Sequence, residues 1–155
     1  MNQGLGTQLR HLVELLDGAV ADAYVREGLS YRPRYTPIMR ALIASEPHTI
    51  SEIAKAAGIT QPAATQSVAL MIRDGLVSST PGAADARQRA IRLTEAAREL
   101  LPRLQLCWLA TTTAAASVDA ELKYPLSQLL TEAITSLERV SFAERLAEAR
   151  NGIAA

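Results

Sequence analysis

A chain of 155 residues can bury about two-thirds of the surface its unfolded form exposes, so one domain without staples is expected. With 48% hydrophobic residues, 21% charged residues and sixteen basic residues matching sixteen acidic ones, disorder and collagen-like structure are excluded. The lone Cys107 and the separated His11 and His48 exclude a disulfide framework or a zinc cage, and neither a metal nor a cofactor is expected.

Aromatic residues are only 4% of the chain and the β-branched residues are scattered, which favours a mostly helical fold. Leu5, Leu9, Leu12, Val13, Leu16, Val20 and Tyr24 recur every three or four positions and predict an amphipathic helix from Leu5 to about Arg26. Gly28-Leu29-Ser30 breaks it. The segment Tyr31-Arg32-Pro33-Arg34-Tyr35 leads into a second helix, Thr36 to Ser45, with Pro37 in its first turn and Ile38, Met39, Leu42 and Ile43 on its buried side.

Thr49-Ile50-Ser51-Glu52 has the spacing of a capping box and predicts a third helix from Ser51 to Ala57. Gly58 stops it, Ile59 plugs the turn, and Thr60 caps a fourth helix from Gln61 to about Asp74. Two helices joined by a three-residue, glycine-containing turn make a helix-turn-helix. After Gly75, Leu76–Thr80 and Arg89–Leu93 read as two strands joined by a turn through Pro81-Gly82-Ala83-Ala84-Asp85. Thr94 caps a long helix toward Ala120, which Pro102 is expected to kink and which carries Leu100, Leu101, Leu104, Trp108 and Leu109 among its apolar positions. A last helix, with a local irregularity at Ser141, runs from about Pro125 to Arg150 and ends at Asn151-Gly152. No apolar run is long enough to span a bilayer, and Met1-Asn2-Gln3-Gly4 is unlike a signal peptide, so a cytoplasmic protein without membrane contact is expected.

Charge is uneven along the chain: residues 1–30 carry −2, residues 31–92 carry +4, and residues 93–155 carry −2. The basic middle contains the helix-turn-helix and the hairpin, which is the electrostatic footprint expected of a DNA-binding surface. On the fourth helix, Ala64, Val68, Met71 and Ile72 point one way at 100° per residue, while Pro62, Gln66, Ala69 and Arg73 point the other, with Thr65 on a shoulder. Gln66 suits paired hydrogen bonds to adenine, Thr65 a base edge or phosphate, and Pro62 or Ala69 a thymine methyl. Thr60 and Gln61 at the start of that helix and Arg73 near its end are further candidates for DNA contact, and Ser51 at the start of the third helix is a candidate for a phosphate contact. In the hairpin, Arg87 and Arg89 suit a narrow minor groove, with Asp85 holding an arginine in place.

Thr49–Ala54, Gly58-Ile59-Thr60, Gly75-Leu76-Val77, and Asp85-Ala86-Arg87 followed by Leu93-Thr94 occur in this order within residues 35–104. This set resembles the MarR family of winged helix-turn-helix regulators. One departure is Ala97, where the family often has glycine. The resemblance implies a single mostly α domain over residues 1–155, with a winged helix-turn-helix at 31–93 and dimerisation helices at 1–30 and 94–155. It also implies a homodimer binding a pseudo-palindromic operator in double-stranded DNA, more often as a repressor. A small aromatic or phenolic effector is implied too, with Tyr31, Tyr35, Met39 and Trp108 as candidate pocket residues against the alternative of ordinary packing. Cys107 reads as a small core residue. No catalytic residues are expected, because the chain shows no nucleophile–base pair, glycine-rich phosphate loop or metal cluster. The competing expectation is a winged-helix module that binds protein alone.

Overall fold

The computed structural model describes residues 4–83, 85 and 87–153. Ala84 and Ala86 of the hairpin turn, and Met1-Asn2-Gln3 of the N-terminal reading, lie outside the described residues. In chain order the elements are α1 (Leu5–Arg26), a 3-10 turn (Pro33–Tyr35), α2 (Thr36–Ala44), α3 (Ile50–Ala57), α4 (Gln61–Arg73), β1 (Val77–Pro81), β2 (Arg89–Leu93), α5 (Glu95–Glu121), α6 (Leu126–Arg139) and α7 (Phe142–Ile153). The fold is mostly helical with an antiparallel two-stranded wing, as the sequence predicts. By packing, the chain divides into two compact units, one ending at Trp108 and the other starting at Leu109. Among the described residues no helix is long and apolar enough to cross a membrane.

The first unit has a continuous core. Tyr24, Leu29, Tyr31, Tyr35, Ile38, Met39, Leu42, Ile53, Ala64, Val68, Met71, Leu76, Val77, Ile91, Leu93, Leu104 and Trp108 are all buried in one cluster. Local sequence signals explain how the elements reach it. Thr49 and Glu52 form the expected reciprocal capping box, with the Thr49 amide donating to Glu52 at 2.7 Å and the Glu52 amide donating to Thr49 Oγ1 at 3.2 Å. These contacts place the start of α3 at Ile50, one residue earlier than predicted. Gly58 ends it at φ +65°, a left-handed conformation in which a side chain would be strained. Thr94 starts α5 by accepting the Ala97 amide at 3.1 Å while donating to the Gly75 carbonyl at 2.7 Å. Ala97 is fully buried there.

Several expectations are corrected. Ile43 is 40% exposed and Ile72 43% exposed, because each lies at the edge of its helix's apolar arc rather than within it. Ser67 is buried in place of Ile72, about 60° to the other side of Ala64, where a small side chain suits close packing. Of the apolar positions named on the long helix, Leu104 and Trp108 are buried and Leu109 is exposed. The predicted last helix is two helices broken at Val140-Ser141. There Ser141 and Glu144 form a second reciprocal cap, and Arg145 donates to the Ser136 and Val140 carbonyls at 3.2 Å. Asn151 and Gly152 lie inside α7 rather than ending it.

The wing is also larger than a hairpin. His48 forms an isolated antiparallel bridge with Ile91, its amide donating to the Ile91 carbonyl at 3.2 Å and its carbonyl accepting the Ile91 amide at 2.8 Å. Glu46 reinforces that attachment by accepting the Leu93 amide at 2.8 Å and pairing with Arg98. Burial works to raise the Glu46 carboxyl, but these two donors outweigh it and hold the group below the ordinary carboxylate range.

The second unit is built differently. Asp119 near the end of α5 accepts the Leu126 amide at 2.7 Å and the Ser127 amide at 3.2 Å, starting α6. Hydrogen bonding from Ser127 keeps the Asp119 carboxyl below its usual range. Among the described residues from Leu109 onward, however, none is buried.

Candidate nucleic-acid interface

Helix α4 is positioned by its apolar side. Ala64, Ser67, Val68 and Met71 are buried, which leaves Gln61, Pro62, Thr65, Gln66, Ala69 and Arg73 on the exposed side. Thr60 caps the helix by accepting the Ala63 amide at 3.3 Å, so its hydroxyl has a structural partner as well as exposure. The Thr65 hydroxyl donates back to the Gln61 carbonyl at 2.9 Å, and what it turns outward is an acceptor, suited to a base amino group rather than a phosphate. Gln66 has no intramolecular partner among the described residues, so both halves of its amide are free. Ser51 is exposed in the first turn of α3, which packs against α4.

At the C-terminal end of α4, Asp74 gathers three neighbours. The buried Tyr35 hydroxyl donates to it at 2.7 Å, Arg73 Nε lies 3.4 Å away, and Arg32 Nε lies 3.8 Å away. The Tyr35 hydrogen bond is the main reason the Asp74 carboxyl sits below its ordinary range, with Arg73 adding to it against the opposing effect of burial. Burial raises the Tyr35 phenol, and its bond to Asp74 raises it further. Arg73 is therefore exposed but partly neutralised by its neighbour.

In the wing, β1 and β2 pair in the register Val77–Leu93, Ser79–Ile91 and Pro81–Arg89. Asp85 holds an arginine as expected, but by its backbone: Asp85 Oδ1 accepts the Arg87 amide at 2.9 Å. The Arg87 guanidinium is exposed with no partner among the described residues. Arg89 is committed instead. Its Nε donates to Ser79 Oγ at 2.9 Å and a terminal nitrogen donates to the Ser79 carbonyl at 2.6 Å. Gly82 closes the turn by donating to the Gln88 carbonyl at 2.7 Å, and a Cβ there would approach the Asp85 carbonyl to 2.9 Å.

All nine residues expected at DNA are thus exposed: Ser51, Thr60, Gln61, Pro62, Thr65, Gln66, Arg73, Arg87 and Arg89. The four expected at an effector are all buried. Tyr31 stands edge-on to Tyr24 and Tyr35 at 4.9 and 5.7 Å, and Trp108 lies 6.5 Å from Tyr31, with Met39 in the same cluster. Burial dominates the Tyr31 phenol and holds it neutral far above its ordinary range. A shallow groove of about 590 Å³ lies elsewhere, between Thr36, Pro37, Arg40, Ser45, His48 and Ala57, and none of those four lines it. Glu46, Asp74, Ser79 and His48 escaped the sequence reading. Their partners lie far along the chain or across a strand pair, and no local spacing marks them.

The MarR family profile matches residues 28–88, the segment from the end of α1 through the wing turn. Over that segment the chain is similar to the MarR family. Among solved structures, the M. tuberculosis transcriptional regulator MOSR in complex with DNA is 26% identical, with 95% of this chain and 98% of that chain covered at a TM-score of 0.67. The S. aureus MepR–DNA complex is 16% identical, covering 89% and 98% of the two chains at a TM-score of 0.67, and shares the fold. So does Bordetella bronchiseptica BpsR, whose DNA binding is regulated by 6-hydroxynicotinic acid. It is 16% identical over 90% of this chain and 95% of that one, at a TM-score of 0.64. No curated protein sequence matches the chain.

Proposed function

We propose that this chain is a homodimeric MarR-family repressor that binds a pseudo-palindromic DNA operator. Helix α4 enters the major groove, where Gln66 reads an adenine and Thr65 accepts from a base amino group, and Arg87 enters the flanking minor groove. Ser51, Thr60 and Gln61 lie against phosphates, and Pro62 meets a thymine methyl. The observation that carries this reading is the split of α4 into a closed apolar side and an exposed side. On that exposed side Gln66 has both hydrogen-bonding functions unengaged. The DNA-bound state of MOSR and MepR supports it.

Dimerisation is supported by apolar surface that the single chain leaves open. Leu5, Val13, Leu15 and Leu16 of α1 are exposed, as are Leu130, Ile134 and Leu137 of α6 and Phe142 and Leu146 of α7. Burying one large aliphatic side chain contributes about 1.5–3 kcal/mol. Five or more per protomer therefore supply on the order of 10 kcal/mol, comparable to the cost of association. A two-fold pair presents α4 twice, about one DNA turn apart. Release by a small aromatic or phenolic effector is supported by the resemblance and by the behaviour of BpsR. In this reading Tyr31, Tyr35, Met39 and Trp108 form the effector site once their packing opens.

The test is selection of bound duplexes from a random pool at moderate salt. An inverted repeat with half-sites about 10 base pairs apart is expected. No enrichment, together with no salt-dependent binding to duplex, overturns the reading in favour of a module that binds protein alone.

A further inference from the structure

Arg89 has the composition of a DNA contact and the geometry of something else. Its strand position settles which way it faces. Val77, Ser79 and Pro81 pair with Leu93, Ile91 and Arg89, so Arg89 shares the side of the wing on which Ile91 and Leu93 are buried. Arg92 belongs to the opposite side. The Arg89 side chain runs along the inner face and across to Ser79 on the neighbouring strand.

The ladder explains why Ser79 has something to offer. Ile91 gives its amide and its carbonyl to His48. A residue in an antiparallel pair that exchanges both bonds with one neighbour cannot exchange them with the other, so Ser79 opposite Ile91 sits in a non-hydrogen-bonded pair. Its carbonyl is turned to the open edge of β1, unanswered by the sheet. Arg89 answers it with one nitrogen at 2.6 Å and holds the Ser79 hydroxyl with another at 2.9 Å. A planar guanidinium can make both bonds at once, whereas an ammonium has no such fork.

We propose that Arg89 is a positioning residue of the wing: by clasping Ser79 across the hairpin it fixes the turn that delivers Arg87, and it does not itself contact DNA. This assignment rests on the DNA-binding reading above, and it separates two arginines two residues apart into one that holds and one that reaches. Asp85 completes the division by fixing the Arg87 backbone while leaving its guanidinium outward.

The experiment uses the full-length protein with Arg87→Gln, Arg89→Gln, Arg89→Lys and Ser79→Ala, on the duplex recovered by selection. The affinity of each is measured across a salt series, and amide exchange at Gly82 and Gln88 is followed without DNA. Arg87→Gln is expected to flatten the dependence of log K on log salt by about one unit per arginine removed. Arg89→Gln and Arg89→Lys are expected to weaken binding alike, by about tenfold, with the salt dependence unchanged and wing exchange several-fold faster. Ser79→Ala should reproduce part of that loss and add little on top of Arg89→Gln.

A phosphate or groove contact predicts the opposite pattern, and any of three results overturns the proposal. These are rescue by lysine, a flatter salt dependence in Arg89→Gln, and unchanged exchange at Gly82. If the unaltered protein fails to bind any duplex at low salt, the DNA-binding reading falls by itself. The exchange measurement still decides whether Arg89 holds the hairpin.

Discussion

The winged unit and the helices from Leu109 onward are built from similar residues, rich in alanine and leucine, yet one closes on itself and the other does not. The first buries tyrosine, isoleucine, methionine and tryptophan side chains in a continuous cluster. The second places Leu130, Ile134, Leu137, Phe142 and Leu146 at helical spacing and buries none of them. The difference teaches that apolar periodicity marks a face to be covered without saying by what. In the winged unit the cover is the same chain, whereas in the C-terminal helices those side chains stay exposed.

The sharpest way to break that contrast is a matched pair of truncations. Ile53→Ala in the closed core is expected to cost about 2–5 kcal/mol of folding stability while leaving the monomer–dimer equilibrium unchanged. Leu130→Ala on the open face should instead weaken self-association, with a smaller loss of folding stability in the monomer at high dilution. If both variants dissociate over the same concentration range in sedimentation, the two regions do not differ in the way described.

A charge on the open face tests the same point more directly. Ile134→Asp is expected to shift the protein to monomer at micromolar concentration, read by light scattering, with far-UV signal from the winged unit retained. Tyr35→Phe probes the closed unit by removing a bond to a charged acceptor, and should cost about 1.5–3 kcal/mol at neutral pH. The sign with pH follows from the depressed Asp74 carboxyl: the contribution is present above the ordinary Asp range and lost as pH falls through the lowered value. The gap between wild type and Tyr35→Phe should therefore close in acid, as measured by urea denaturation. The smallest effect is expected from Thr94→Ala, about 1 kcal/mol, from the lost cap of α5.

Much of the architecture was legible because its signals are local. The bounds of α1, the capping box at Thr49, the stop at Gly58 and the strand from Arg89 to Leu93 each follow from residues within a turn or two of one another. The exposed side of α4 was legible for the same reason, apart from Ile72 and Ser67 at the margins of its arc. What stayed hidden depends on distance. Tyr35 and Asp74 are 39 positions apart and Glu46 and Leu93 are 47, so neither partner announces the other. The break at Ser141 is a different case. An irregularity at Ser141 is visible in the sequence, but the apolar pattern runs across it and reads as one helix, whereas the Ser-x-x-Glu cap makes it a full break. Arg89 shows the limit for site residues: net charge and position suggest a ligand contact, and only the strand register reveals a partner inside the protein.

That register has one more consequence. The outer side of β1 is an open strand edge, the kind of template on which another extended chain can add itself. A cation laid over the Ser79 carbonyl occupies one of the acceptors that such a strand would need, which makes that edge a poorer template for edge-to-edge pairing.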